Sequence, residues 1–270
     1  MKNSRFFPLA GAFLLAVGLA GCSGRSPGTY QGYVEGEYVY VASPLGGALA
    51  HLAVARGDTV KAGQLLFVLE RESESAALDQ AEKNLTMAKA SHDLAEATYQ
   101  RRKELRESPS AVISAEELDS ARADRDTTEA QMASQSAALD KAQWSFDQKQ
   151  QSAPTNAFVQ DTLYRQGEWV AAGNPVIALL PPENLKVRFF VPQAALPQVK
   201  IGAAASVTFD GSAKTYTATV NYISAEAEFT PPVIYNRENR SKLVFMIEAR
   251  FSPADAPELR PGQPVDVKLP

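Results

Sequence analysis

One phrase occurs twice in this chain, 110 residues apart, and it constrains the fold more than anything else in the sequence. "RGDTVKAGQLLFVLE" begins at Arg56 and "RQGEWVAAGNPVIALLP" begins at Arg165. Gly57 aligns with Gly167 and Gly63 with Gly173; Asp58 meets Glu168, Val60 meets Val170, and Pro44 meets Pro154 upstream. Each copy has a proline entry, a short apolar alternation and two tight turns. The spacing predicts short strands around turns at Gly57, Gly63, Gly167 and Gly173, where glycine supplies backbone angles other residues avoid. Neither half carries enough apolar surface to stand alone. Two halves packed face to face make one small β-sandwich with pseudo-two-fold symmetry.

The sequence between the halves has a different period. From Arg71 to about Arg106 there is no Gly or Pro. Leu78, Leu85, His92 and Tyr99 recur every seventh residue, with Ala81, Ala88 and Ala95 three places after the first three. This is a heptad seam. After "ESPSAVIS" a second run extends from Ala115 to about Lys149. One seam column holds Leu118, Arg125, Met132, Leu139 and Phe146; the other holds Ala121, Thr128, Gln135 and Ala142. Ser114 with Glu117 fits a capping box. The pattern predicts an antiparallel helical hairpin over 71–151, with arms of roughly 50 Å at ~1.5 Å per residue. A rod of this length is first of all a spacer, and reach is its main product.

The N-terminus reads as a targeting segment, residues 1–21. Lys2 and Arg5 precede "FFPLAGAFLLAVGLA", an apolar run of signal-peptide length and short for a membrane span of roughly 20 residues. It ends in "LAGC", which resembles the bacterial lipobox, so Cys22 is the expected lipidation site. Residues 22–30 read as a polar tether. Because Cys22 is the single cysteine in the chain, it leaves no disulfide framework and no cysteine-based zinc site within one chain. The 27 basic and 31 acidic residues give a net charge of -4, which argues against nucleic acid as a main partner.

The stretch "G-D-x-V-x-x-G-x-x-L" resembles the half-motif of biotinyl and lipoyl domains. A lipoyl domain split by a helical hairpin, behind a lipobox, resembles the HlyD-type periplasmic adaptors, or membrane fusion proteins. The resemblance covers about Gln31 to the C-terminus. It implies an α+β multidomain chain: a first lipoyl half over 31–70, the hairpin, a second half over 152–182, and a β-barrel over 183–270. Five strands are expected in that barrel, at Leu185 to Pro192, Ala205 to Gly211, Tyr216 to Ser224, Leu243 to Phe251 and Pro264 to Pro270. "AEFTPPVIYNRENRSKLVFMIEARF" and "LRPGQPVDVKL" resemble the adaptors of ABC-type exporters.

The resemblance also implies partners. These are an inner-membrane transporter of ABC type, a TolC-type outer-membrane channel, and further copies of the chain, about six around an axis. The alternatives are an adaptor of a proton-driven pump or of type I protein secretion, a lipoyl or biotinyl carrier component, and a purely structural lipoprotein. Family members carry an Arg, a Leu four residues later and a Ser at the start of the returning helix. Arg101, Leu105 and Ser114 match these at the hairpin tip, with a loop about two residues longer. The carrier lysine belongs at the turn joining the two halves, and here the hairpin replaces that turn; Lys61 lies inside the first half-motif. The expectation is therefore a non-enzymatic scaffold with no cofactor, metal or catalytic residue. Glu72/Glu74 and Glu226/Glu228 read as a helix start and a solvent-facing alternation, and His92 as a seam residue. The expected location is the periplasm, lipid-anchored. The resemblance points to the inner membrane, and Ser23 after the cysteine points to the outer membrane by the enterobacterial rule.

Overall fold

The structure is a computed structural model that describes residues 28–109, 113–229 and 243–270. The expected signal peptide and Cys22 lie outside the described residues. The chain divides into two units, Gly36–Asn184 and a second one formed by the N-terminal segment to Glu35 with Leu185–Pro270.

The first unit contains β2 (Val39–Ala42), β3 (Gly47–Leu52), β4 (Thr59–Val60), β5 (Leu65–Leu69), α1 (Glu72–Glu107), α2 (Ala115–Asp147), β6 (Gln150–Ser152), β7 (Ala157–Thr162), β8 (Trp169–Val170) and β9 (Pro175–Leu180). The strands form two four-stranded sheets, β2-β9-β7-β4 and β6-β5-β3-β8. Each sheet therefore holds strands from both sequence repeats, and neither repeat closes a sheet without the other. Their facing sides supply one core that includes Leu49, Val60, Leu66, Phe67, Val159, Val170 and Val176.

The 110-residue offset governs the hydrogen bonds as well as the residues. The Gly57 amide donates to the Val159 carbonyl (2.9 Å), and the Gly167 amide donates to the Leu49 carbonyl (2.8 Å). The Gly63 amide donates to Ala153 and the Gly173 amide to Ser43, each at 2.8 Å. Asp58 and Glu168 each accept a backbone N–H three residues upstream, from Ala55 and Arg165, at 2.8 Å. Gly57 and Gly167 turn at φ +99° and +91°, and Gly63 and Gly173 both at +79°, a region that side chains with a Cβ rarely enter.

The second unit is a closed barrel of six strands in the order β1-β10-β13-β12-β11-β14. Its strands are β1 (Thr29–Gly36), β10 (Leu185–Pro192), β11 (Ala204–Thr208), β12 (Tyr216–Phe229), β13 (Leu243–Phe251) and β14 (Pro264–Lys268). Alternate residues such as Val187, Phe189, Val207, Val220, Ile247 and Val267 fill the interior.

Three expected boundaries are corrected. The unit holding the sandwich, whose first half was expected to begin at residue 31, begins at Gly36, because β1 pairs with β14 from Thr29↔Lys268 to Tyr33↔Pro264. That strand also shortens the expected tether of 22–30 and adds a sixth strand to a barrel expected to have five. The physical reason is edge closure: β10 and β14 would otherwise expose unpaired backbone. The hairpin, expected to reach residue 151, gives way at Gln150 to β6, which pairs with β5.

On the outer side of the barrel, Glu248 receives Lys186 Nζ and Arg188 Nη2, both at 2.8 Å, and Arg188 also reaches Glu35 at 2.9 Å. Burial pushes the Glu248 carboxyl pKa up, but the hydrogen bonds and charges of Lys186 and Arg188 outweigh it and hold the carboxyl below its ordinary value. A carboxylate with a lowered folded-state pKa stabilises the fold above the ordinary carboxylate range, about 4. That contribution disappears as pH falls through the folded-state value. The expected result is a barrel melting temperature that falls with acidification below about pH 4, with a shallower fall in Glu248→Gln. Parallel melting curves of the two proteins across that range would contradict this role.

Candidate functional site: the helical hairpin, its base and its tip

The two helices pack along the seam that the heptads define. Ala81, Leu85, Ala88 and Tyr99 on α1 and Ala121 on α2 are buried, and the other seam residues of α2 are half-buried. The small residues let the backbones approach. Arg125, a cation in an otherwise apolar column, lies 4.6 Å over the Tyr99 ring. Its Nε is 3.8 Å from Glu96 and 2.9 Å from Asp126. The aromatic face and two carboxylates compensate the charge for its place on the seam.

At the base, the hairpin is fastened to the sandwich by groups the sequence reading missed. Lys149 is only 5% exposed. Its ammonium donates to the carbonyls of Gly46 (2.7 Å) and Glu70 (3.2 Å) and pairs with Glu74 (3.0 Å). Ser43, fully buried, donates from Oγ to the Gln148 carbonyl at 2.8 Å. Arg71 lies 4.5 Å over the Phe146 ring. A lysine beside a sandwich expected to be lipoyl-like invites a carrier reading, but this amine is held by three oxygens inside the junction. Glu74 therefore does more than begin a helix: it neutralises a buried cation.

At the tip, α1 ends with an extended Ser108 and α2 begins with a full capping box: Ser114 Oγ accepts the Glu117 amide at 3.1 Å, and Glu117 accepts the Ser114 amide at 2.9 Å. Those bonds from the Ser114 backbone and hydroxyl hold the Glu117 carboxyl below its usual pKa. Arg102 reaches across to the Glu117 carbonyl (2.9 Å), and Arg106 to the Ile113 carbonyl (3.0 Å). These two arginines tie the end of α1 to the start of α2. Residues 110–112 of the loop lie outside the described residues. Arg101 is exposed and Leu105 is 52% exposed, four residues apart and so on one face of α1. All three expected tip residues are exposed, and the Ser114 hydroxyl is engaged in its own helix cap.

The rest of the described residues offer no site of comparable definition. Among the described residues there is no group of three or more His, Cys, Asp or Glu placed to hold a metal. No described helix is long and apolar enough to cross a membrane. Glu226 and Glu228 lie on β12, and Ser224 Oγ donates to the Glu226 carbonyl at 2.9 Å.

Residues 76–149 match the family described as RND MFP, alpha-helical hairpin domain. Over those residues the chain is similar to the alpha-helical hairpin of membrane fusion proteins. It is 29% identical to a UPF0194 membrane protein of Enterobacter sp. (strain 638), covering all of this chain and 98% of that one. It is also 29% identical to the UPF0194 membrane protein YbhG of Salmonella typhi, over 89% of this chain and 88% of that one. Among solved structures it resembles the membrane fusion protein Spr0693 of Streptococcus pneumoniae R6. The TM-score is 0.66 at 21% identity, over 90% of this chain and 98% of the other.

Proposed function

We propose that the protein is the periplasmic adaptor of a tripartite efflux or export system, bridging an inner-membrane transporter to a TolC-type outer-membrane channel. The observation that carries this reading is the hairpin. Two arms of 36 and 33 residues span about 50 Å, and both leave one closed sandwich through a buried, hydrogen-bonded base. Force and position at one end are thereby transmitted to the other. The tip then presents Arg101 and Leu105 for contact with the channel. A guanidinium suits several rim carbonyls at once, and an exposed leucine suits a groove between helices.

Lipid at Cys22 would hold the chain at the inner membrane. The two curated relatives are named membrane proteins, which agrees with an anchor. About six copies would surround the conduit, with the hairpins side by side as a tube. For the transporter, the barrel segments favour an ABC-type partner, as in HlyD-type adaptors. A second reading, a proton-driven pump, is favoured by the hairpin's match to the RND family. Export that stops when the proton gradient collapses while ATP is maintained identifies the second; export that persists identifies the first.

The docking role predicts that Arg101→Asp and Leu105→Ser each abolish crosslinking to the channel and export, with the melting temperature unchanged. Ser114→Ala serves as the contrast: losing the cap costs about 1 kcal/mol and frays the start of α2, while crosslinking is retained. Wild-type export in both tip variants, at normal expression, would remove the tip from the docking site.

A further inference from the structure

The barrel repeats itself, as the sandwich does. A 3-10 turn at Leu196–Gln198 leads through Gly202 into β11, and another at Ala256–Glu258 leads through Gly262 into β14, sixty residues further on. Gly202 and Gly262 turn at φ +87° and +85°. The Gly202 amide donates to the Val220 carbonyl (2.8 Å) and the Val220 amide to the Ala203 carbonyl (2.9 Å). The Gly262 amide donates to the Val34 carbonyl (2.7 Å) and the Val34 amide to the Gln263 carbonyl (2.9 Å). The pair β11 and β12 is therefore the counterpart of β14 and β1. What both halves share, the fold needs. They differ at Ile201, whose counterpart is Pro261, and at Tyr222, two residues past Val220, whose counterpart is Gly36, two past Val34. Ile201 and Tyr222 are 69% and 46% exposed, and Lys200 is exposed beside them. An isoleucine at the apex of a solvated turn does nothing for the barrel, whose other half closes with proline there.

The place of the turn at 200–202 says what it faces. Lys268 on β14 pairs with Thr29 on one side and Ser206 on the other, so β1 and β11 start from the same end of the barrel. Thr29 stands two strands, about 10 Å, from β11. Cys22, the expected site of lipid, precedes Thr29 by seven residues, which span at most about 25 Å. The turn is thereby kept close to the bilayer. We infer that Ile201 and Tyr222 seat this end of the barrel on the lipid surface. An exposed aliphatic side chain enters the boundary between headgroups and acyl chains, and a tyrosine lies across it with its hydroxyl in water. Lys200 lays its stem along that surface and its ammonium among the headgroup phosphates. Lys268, also exposed, adds a second cation at this end. Glu226 and Glu228, farther along β12, are repelled by anionic headgroups, which limits the contact to the turn and Tyr222. Lipid at Cys22 supplies attachment, and the turn fixes the attitude of the barrel on the membrane. The inference rests on the lipid-anchored reading of the chain.

Full-length protein with Asn221→Cys, purified with its lipid and placed in vesicles of phosphatidylethanolamine and phosphatidylglycerol, tests it. Asn221 is exposed next to Tyr222, and lipid on the Cys22 sulfur leaves position 221 as the one thiol open to an environment-sensitive fluorophore. The probe should be blue-shifted, and quenched by lipids brominated near the headgroup. The same probe at Ala213→Cys, in the β11–β12 connection at the other end of the barrel, should show neither effect. Adding Ile201→Asp should abolish the quenching while the protein still floats with the vesicles and melts as before; Ile201→Leu should keep it. Equal quenching at both positions, no quenching at 221 in floating protein, or quenching that survives Ile201→Asp would overturn the inference and leave the anchor standing. Protein that takes the label at Cys22 and does not float removes the anchor, and this inference with it. A blue shift confined to vesicles that also hold inner-membrane proteins assigns the turn to a protein partner and overturns the lipid contact.

Discussion

Gly32→Ala should destabilise the barrel by about 3 kcal/mol or more, the largest effect expected of a methyl group added at any described glycine. A Cβ at Gly32 would stand 2.3 Å from the Arg188 carbonyl oxygen, 2.7 Å from Phe189 Cβ and 2.9 Å from Phe189 Cα. Two of those atoms are backbone, and the third is fixed to it, so no side-chain rotation relieves the clash. Either β1 moves off β10 or the barrel opens, and in both cases the strand that closes the barrel is lost. The adjacent exposed Gln31→Ala should change stability by less than about 0.5 kcal/mol. The two variants melted side by side check the assignment of β1 to the barrel. Equal melting temperatures would mean that β1 does not close it.

The second large effect is at the hairpin base. Lys149→Met removes a buried cation and leaves Glu74 and two carbonyls without their partner. Breaking a buried pair by removing one member costs about 3–5 kcal/mol. Glu74 keeps some solvent contact, its side chain being 21% exposed, so the lower end of that range is expected. For a unit of this size each kcal/mol lowers the melting temperature by about 2–4 °C. Lys149→Met should therefore lower that of the sandwich unit by roughly 10 °C. Glu74→Met should cost less, since it leaves the carbonyl bonds of Lys149 intact. The double variant should fall well short of the sum of the two, as coupled partners do. Additive losses in that cycle would show that the lysine acts through its carbonyl contacts alone.

What the sequence made legible was local or repeated. Heptads specify helices and their seam within a few turns, and the seam they name is the one that is buried. The repeated glycines specify turns, and the hydrogen bonds obey the same 110-residue offset as the letters. The split sandwich with an inserted hairpin follows from those two signals. The role of β1 was not legible, because its partners lie near the far end of the chain. Its apolar alternation is also short enough to suit either domain. Gly32 carries no local mark: its φ is ordinary, and only the proximity of β10 makes it necessary. Lys149 was missed for a different reason. A lysine just past a helix reads as a solvated charge, and two of its three acceptors are backbone carbonyls, which every residue possesses. Arg125 was visible as a polar seam residue, but its partners on the facing helix, Tyr99 and Glu96, required the antiparallel pairing to be known first. At the tip, Arg101 and Leu105 were named through the family pattern alone, and the structure adds that both are exposed. Arg102 and Arg106, which hold the tip together, lie outside that pattern.

The central claim is that the hairpin is a rod whose length is its function. Removing Asp79–Leu85 from α1 and Ser136–Ala142 from α2 takes one heptad from each arm at the same level. It preserves the seam, the capped tip with Arg101 and Leu105, and the base at Lys149. The rod shortens by about 10 Å. Export and crosslinking from the tip to the outer-membrane channel should both be lost, with helicity, expression and melting temperature close to those of the intact chain. Full export by the shortened protein would contradict the claim.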